Sequence, residues 1–345
     1  MKRLCVLCVL LCMLFSSCSV KGQKTKYTAY CTDYFDTVIT VVGYEETKGE
    51  FDAVANDIFR ELGSYHALYT VYDAYDGMEN LYTVNETQNG AHRTVTVDER
   101  IIDLLLYAKE MYAQTNGKVN IAMGSVLSIW HSYRTQGKED PKEAVLPPMT
   151  ELQAAAEHTD ISHLVIDKEA MTVTLTDPDM KLDVGDIGKG YATERVARLL
   201  EQRGLDGYIL NVGGNIRAIG TKPGGEKWSV GIEDPVGEEY LAHLSLAGGY
   251  SVTTSGSYQR YYEVDGVRYH HIIDPDTLLS AEGFLSVSVI CTDAGYGDAL
   301  STALFCMPQA EGLRWIETLP DVEAMWLSEN GERTVSSGWN DHLKK

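Results

Sequence analysis

The sequence predicts an α+β fold, with mixed or antiparallel sheets and packed helices in one compact unit, on three observations. Helical periodicity and β-branched runs are interspersed without the regular strand–helix–strand alternation that builds a parallel sheet. Strand-like runs come in neighbouring pairs joined by short turns, which points to hairpins. No repeat, low-complexity tract or linker interrupts the body, so residues 31–345 read as one domain.

A segment ahead of that domain is set aside first. Met1-Lys2-Arg3 is basic and Leu4 to Phe15 is apolar, a run long enough for a signal-peptide core and too short to span a bilayer. Phe15-Ser16-Ser17-Cys18 resembles a bacterial lipobox, which implies a signal peptide over 1–17 and diacylglycerol on Cys18. That places the protein on the extracytoplasmic face of a bacterial cell membrane, lipid-anchored; a plain secretory signal cleaved nearby is the rival reading. Residues 18–30 are then a polar tether.

Within the body, Tyr34 to Val42 is rich in β-branched residues and predicts a strand. Phe51 to Ala67 repeats apolar residues at helical spacing, and so does Asp98 to Thr115, with Asp98 as its N-cap. Gln136 to Pro148 is charged and proline-bearing, a loop. His163 to Asp167 and Met171 to Thr176 pair as a hairpin. A strand ending near Asp183 leads through Gly185, Gly188 and Gly190 into a helix that Gly204 stops, and Tyr208 to Val212 forms the next strand.

Charge excludes one broad class. With 29 Lys plus Arg against 50 Asp plus Glu, the net charge of −21 repels a polyanion, so no nucleic-acid partner is expected. Of seven cysteines, Cys5, Cys8 and Cys12 fall in the signal segment and Cys18 is the lipid site. The remaining Cys31, Cys291 and Cys306 have neither disulfide-framework nor zinc spacing; Cys291 and Cys306 read as small buried residues.

Three segments carry chemistry. The glycine turn KLDVGDIGKGYA at residues 181–192 brings backbone N–H groups to a helix start, which suits phosphate, although a plain tight turn explains it equally. Tyr261 to Val264 and Val267 to His271 flank Asp265-Gly266, a type I′ hairpin signal that delivers His270 and His271 to opposite faces. Either histidine could be a packing residue. Asp298 and Thr302 lie four apart on one helical face, offering hard oxygen ligands for Mg²⁺; Asp298 as an N-cap is the alternative.

In order and wording these motifs resemble the ApbE-type flavin transferases over nearly the whole mature chain. The resemblance rests on Phe35-Asp36-Thr37 in the place of Met-Gly-Thr, the stretch from Tyr72 to Asn85, and TNGKVN at 115–120. It continues through LDVGDIGKGYA, ILNVGGN, TTSGSYQRYY, HHIIDP and DALSTAL. Asn120 stands where Asp is usual, and Leu278 replaces the Gly that often follows the DPxT element.

The resemblance implies a T-fold-related α+β domain that transfers FMN from FAD to a Thr or Ser hydroxyl of an acceptor protein, releasing AMP. It implies FAD contacts at Phe35, Tyr72, Lys118, Val119, Asn120, Asp183, Lys189 and Ile272, with the 118–120 contacts made by backbone. Asp298 and Thr302 are implied as Mg²⁺ ligands, Asp186 as a further metal contact through its carbonyl, and His271 as the base near the reacting phosphate. Acceptors implied are membrane redox-complex subunits or exported flavoproteins. Two other readings stay open: an FAD pyrophosphatase giving FMN and AMP, and a lipid-anchored solute-binding protein, which would show two α/β lobes.

Overall fold

The computed structural model describes residues 23–87, 93–237 and 239–345; the signal segment and Cys18 lie outside the described residues. Its helices are α1 (Lys48–Tyr69), α2 (Leu81–Glu86), α3 (Glu99–Gln114), α4 (Gly124–Glu139), α5 (Met149–Ala156), α6 (Gly188–Gln202), α7 (Ala294–Phe305) and α8 (Gln309–Ile316). The strands are β1 (Thr25–Cys31), β2 (Ile39–Glu45), β3 (Arg93–Thr96), β4 (Leu164–Asp167), β5 (Thr172–Leu175), β6 (Tyr208–Val212), β7 (Asn215–Ile219) and β8 (Trp228–Glu233). They continue with β9 (Tyr240–Leu246), β10 (Ser251–Gly256), β11 (Tyr261–Val264), β12 (Val267–His270), β13 (Phe284–Cys291), β14 (Glu323–Ser328) and β15 (Arg333–Val335).

An eight-stranded antiparallel sheet in the order β1-β2-β6-β7-β10-β13-β14-β15 is the spine. Strand alternation assigns its two faces. Tyr208, Leu210 and Val212 of β6 enter the core built with Phe51, Ile58 and Leu62 of α1 and Val196 and Leu200 of α6. Ile209, between them, packs on the opposite face with Trp228 and Leu244 of the β8–β9 ribbon. The same alternation sends Val287 and Val289 of β13 toward α7 and Ile290 toward the ribbon. Each fully buried Leu or Ile in these layers contributes about 1.5–3 kcal/mol relative to exposure. One continuous sheet with helices against one face is an α+β fold, and two α/β lobes are absent among the described residues.

Local chemistry sets several boundaries. Thr47 and Glu50 form a capping box that starts α1. Asp98 accepts from Arg100 N and starts α3. The β11–β12 hairpin turns on Asp265 and Gly266 at φ 51° and 79°, the left-handed pair that a type I′ turn needs. β4 and β5 pair as a hairpin and β3 joins them.

Four expectations need correction. Phe35 and Asp36 both take left-handed φ, 58° and 51°, which breaks extended chain, so the strand expected from Tyr34 begins only at Ile39. The tether expected over 18–30 is too long: Thr25–Cys31 is an edge strand paired with β2, and Lys24 approaches Glu45 at 3.7 Å. Among the described residues no strand ends near Asp183, where Lys181 makes only an isolated bridge to Met123. Asn85 instead binds both the N–H and the carbonyl of Leu182, at 2.7 and 2.9 Å, and Ile121 O takes Asp183 N at 2.8 Å, so side chain and loop satisfy that backbone. Finally, α4 runs to Glu139, which leaves only residues 140–148 of the expected loop.

Candidate active site

Two adjoining cavities, of about 390 and 310 Å³, open at the end of the sheet where β6 turns into β7 and β10 finishes. Their shared wall carries Tyr72, His131, Arg134, Asp183, Lys189 and Arg260. Asp186, Asn215, His271, Ile272, Asp298 and Thr302 line the first cavity alone, and it is polar. Phe35, His66, Tyr69 and Val71 line the second alone and make it largely aromatic and apolar. Lys138 also reaches both.

The polar cavity is framed by the crossing of α6 and α7. Asp298 is not an N-cap: Asp293 caps α7 by accepting from Tyr296 N, and Asp298 lies a turn inside. Its buried carboxylate accepts from Gly190 N at 2.8 Å and is also held by the Asn215 side chain. One helix-start amide of the glycine turn, which could have served a phosphate, is therefore taken by a carboxylate of the protein. Glycine is required there, because a Cβ would lie 2.4 Å from Asp298 Cβ and from Ala294 O. Thr302, one turn further along α7, lies 3.5 Å from Ser255 Oγ.

Three carboxylates, Asp183, Asp186 and Asp298, share this cavity. Burial pushes the Asp186 acid up to about 7, reinforced by the charges of Asp183 and Asp298 and opposed by Lys189. Burial likewise raises Asp183 and Asp298, partly offset by backbone N–H donors and by Lys189. Asn215 Oδ1 is buried without a partner. The acids, the Thr302 hydroxyl and the orphaned Asn215 oxygen line one cavity, and oxygen donors of this kind suit a hard divalent cation.

His271 follows directly on β12. Its N–H donates to Arg260 O at 3.1 Å, which extends the β11–β12 ladder by one rung and sets Arg260 beside it. Burial, then the charges of Arg260 and Lys189, hold His271 well below the usual histidine range. The ring is neutral at pH 7, and its Nδ1 is buried without a partner. His270 points the other way: its Nε2 lies 2.7 Å from Ala281 O, its Nδ1 accepts from Ile272 N, and its ring meets Phe305 edge-on.

The remaining anticipated residues divide. Phe35 and Tyr72 line the cavities, and Lys189 does so while donating to Gly185 O at 3.1 Å. Lys118, Val119 and Asn120 line neither cavity. Lys118 Nζ is engaged by Asp274 and Asp276 at 2.8 and 2.7 Å, Val119 is in the core, and the Asn120 amide bridges Thr159 O and Ala122 N. Sequence reasoning missed His131, Arg134 and Lys138, which α4 presents at steps of three and four residues, the signal of a shared helical face. Arg260, just ahead of β11, also lines both cavities.

A second acidic group, His158, Asp177 and Asp179, lies outside both cavities. The His158 ring puts Nδ1 at 2.9 Å from Asp177 and Nε2 at 3.9 Å from Asp179, so the two acids face different ring nitrogens. One ligand atom of each lies within 4.8 Å of the others, so the group is compact enough for a cation, but it stands apart from both cavities.

Comparisons with known proteins bear on this geometry. A protein of Klebsiella pneumoniae named FAD:protein FMN transferase is 30% identical over 292 residues, covering 83% of this chain and 85% of its own. One of the same name from Treponema pallidum is 31% identical over 260 residues, covering 72% and 71%. Among solved structures, the ApbE protein of Thermotoga maritima superposes with a TM-score of 0.81 at 27% identity, over 93% of this chain and 100% of that one. The flavin transferase ApbE of Vibrio cholerae shares the fold at a TM-score of 0.76 and 23% identity, over 93% and 100%. The ApbE family profile matches residues 35–326, and the chain belongs to the ApbE family.

Proposed function

We propose that this protein is an FAD:protein FMN transferase, moving FMN from FAD onto a Thr or Ser hydroxyl of an acceptor flavoprotein with release of AMP. The observation that carries the reading is the pair of adjoining cavities whose common wall holds the cations Arg134, Lys138, Lys189 and Arg260. A dinucleotide has two ring-bearing ends and an anionic diphosphate between them, and the cations stand where its middle would lie. The relatives' names supply the reaction class.

Asp298 and Thr302, with Asp186 beside them, would hold Mg²⁺. Bound there, Mg²⁺ would neutralise phosphate charge and orient the diphosphate for in-line displacement. The chain's own groups do the rest. Lys189 pairs with phosphate oxygens as a point charge. His271, neutral and beside Arg260, takes the proton of the attacking hydroxyl at a ring nitrogen. The new bond joins that oxygen to the FMN phosphorus, the bond to the AMP oxygen breaks, and AMP departs with the electron pair. Tyr72 and Phe35 offer aromatic surface to a flavin or adenine ring.

Incubation with FAD, Mg²⁺ and candidate acceptor domains, read by mass spectrometry, tests the reading: an added FMN on the acceptor supports it. FMN and AMP released free, with unlabelled acceptor, would favour FAD hydrolysis. Asp298→Ala is expected to abolish Mg²⁺-dependent turnover in a folded protein. His271→Ala is expected to bind FAD yet lose about 10²–10⁴-fold in transfer; transfer at the wild-type rate would move the base elsewhere.

We further propose that the protein is held at the bacterial membrane by a lipid on Cys18, facing membrane redox subunits or exported flavoproteins as acceptors. The lipobox-like Phe15-Ser16-Ser17-Cys18 supports this, and no helix among the described residues is long and apolar enough to cross a membrane. Clickable fatty-acid labelling that survives Cys18→Ala would refute it.

A further inference from the structure

The cations of the shared wall are not alike. Arg60, Arg100, Arg198, Arg203, Arg217 and Arg268 each meet a carboxylate within 4.0 Å, as expected where acids outnumber bases. Arg134 and Arg260 meet none among the described residues; Arg195, Arg314 and Arg333 share this, but only Arg134 and Arg260 line the two cavities. Arg134 is half-buried, and its guanidinium lies 3.2 Å from His131 Nδ1, one turn earlier on α4. Arginine has only donors, so Nδ1 must accept, which fixes the histidine tautomer and aims the guanidinium. The His131 ring is itself backed by Tyr72, with centroids 5.0 Å apart. Burial, with the charge of Arg260 working the same way, lowers the Arg134 pKa.

A partly buried cation with no carboxylate within 4.0 Å, opposed by a like charge and partly offset by the more distant Asp183, costs free energy in the ligand-free protein. Two such cations placed together in the wall between the cavities suit an anion that arrives from outside. Their place there selects the anion's shape. Resting on the dinucleotide reading above, we propose that Arg134 and Arg260 form a two-guanidinium clamp on the diphosphate of the bound dinucleotide. His131 serves as a positioning residue for the first of them. The clamp gives the site its preference for a diphosphate-bridged ligand over the same ring system without phosphates.

The test uses Arg134→Gln, Arg260→Gln and His131→Ala in the full chain. Affinities for FAD and riboflavin are read by flavin fluorescence, affinities for ADP and adenosine by calorimetry, and ligand-free melting by circular dichroism. Each arginine variant is expected to lose about 10-fold or more in affinity for FAD and ADP. Riboflavin and adenosine should change less than about twofold, and the ligand-free melting temperature should hold or rise because a repulsion is gone. His131→Ala should show the same selectivity at smaller size. Unchanged FAD and ADP affinity overturns the clamp. So does a parallel loss of riboflavin or adenosine, a fall in ligand-free melting temperature, or a wild type that binds neither FAD nor ADP. Tight FAD binding with no transfer overturns the transferase reading alone and leaves the clamp standing.

Discussion

The backbone N–H of Gly190 in α6 donates to Asp298 Oδ2 in α7 at 2.8 Å, across a helix crossing with no room for a Cβ. Gly190→Ala must therefore part the two helices or tilt Asp298 away from the cavity. Overpacking of this kind costs about 1–3 kcal/mol, and thermal denaturation should show it. Mg²⁺-dependent AMP release should fall much further than the lost stability explains. A variant with wild-type melting and turnover would show that the crossing can give at no cost.

Glu194 ties the same crossing to the sheet. It accepts from Arg217 Nε at 2.9 Å, Arg198 Nε at 2.7 Å and Ala294 N at 2.9 Å. Burial pulls its pKa up, but the bonds and charges of Arg217 and Arg198 outweigh this, and the acid sits below its usual value of 4.5. Near pH 4 the folded protein thus binds fewer protons here than the unfolded chain. The contribution is full above about 4.5 and is lost as pH falls through the folded value. Glu194→Gln should cost about 1–3 kcal/mol at pH 7 by removing one of the two carboxylates on Arg217, which keeps Glu201 at 3.1 Å, and less at pH 3. Urea denaturation at the two pH values measures the gap, and an equal cost at both would contradict it.

Leu278 occupies φ 63°, held by Leu278 N to Asp274 O at 2.8 Å and by Trp130 Nε1 to Leu278 O at 2.9 Å. A left-handed non-glycine residue costs about 1–2 kcal/mol. Both Leu278→Gly and Leu278→Ala lose the side chain's packing, but only the first relieves the backbone. Glycine should be the more stable of the two by about 1 kcal/mol, the reverse of the usual order; alanine proving more stable would remove the strain argument.

His158→Ala should leave Mg²⁺-dependent turnover unchanged, since the His158–Asp177 pair lies outside both cavities. The hydrogen bond to Asp177 holds the histidine above its usual 6.5, so what the pair adds is present below that value and fades as pH rises through the folded one. At its exposure that is under about 1 kcal/mol. Loss of Mg²⁺ dependence in this variant would move the metal site.

What could be read from the sequence was whatever local chemistry decides. The Asp265-Gly266 hairpin, the Asp98 cap and the β4–β5 pair follow from short-range rules, and all three form as expected. Long-range contacts decided the rest. Nothing near Lys181 says that Asn85 will satisfy its neighbour's backbone in place of a strand. The Asp293 cap and the Asp298 carboxylate look alike in sequence, and only the α6–α7 crossing separates their roles. Arg134 was obscured because α4 carries no strong motif, although its His131-Arg134-Lys138 spacing was open to reading.

Pairing of β1 with β2 fixes where the folded body begins. From Cys18 to Thr25 the chain has only residues 19–24 to spend, a reach of about 25 Å even fully extended. Were Cys18 held in a bilayer, as proposed, the enzyme would work on a short leash. It could modify an acceptor whose hydroxyl is presented close to the same membrane surface, and a domain carried far above it on a stalk would be out of range.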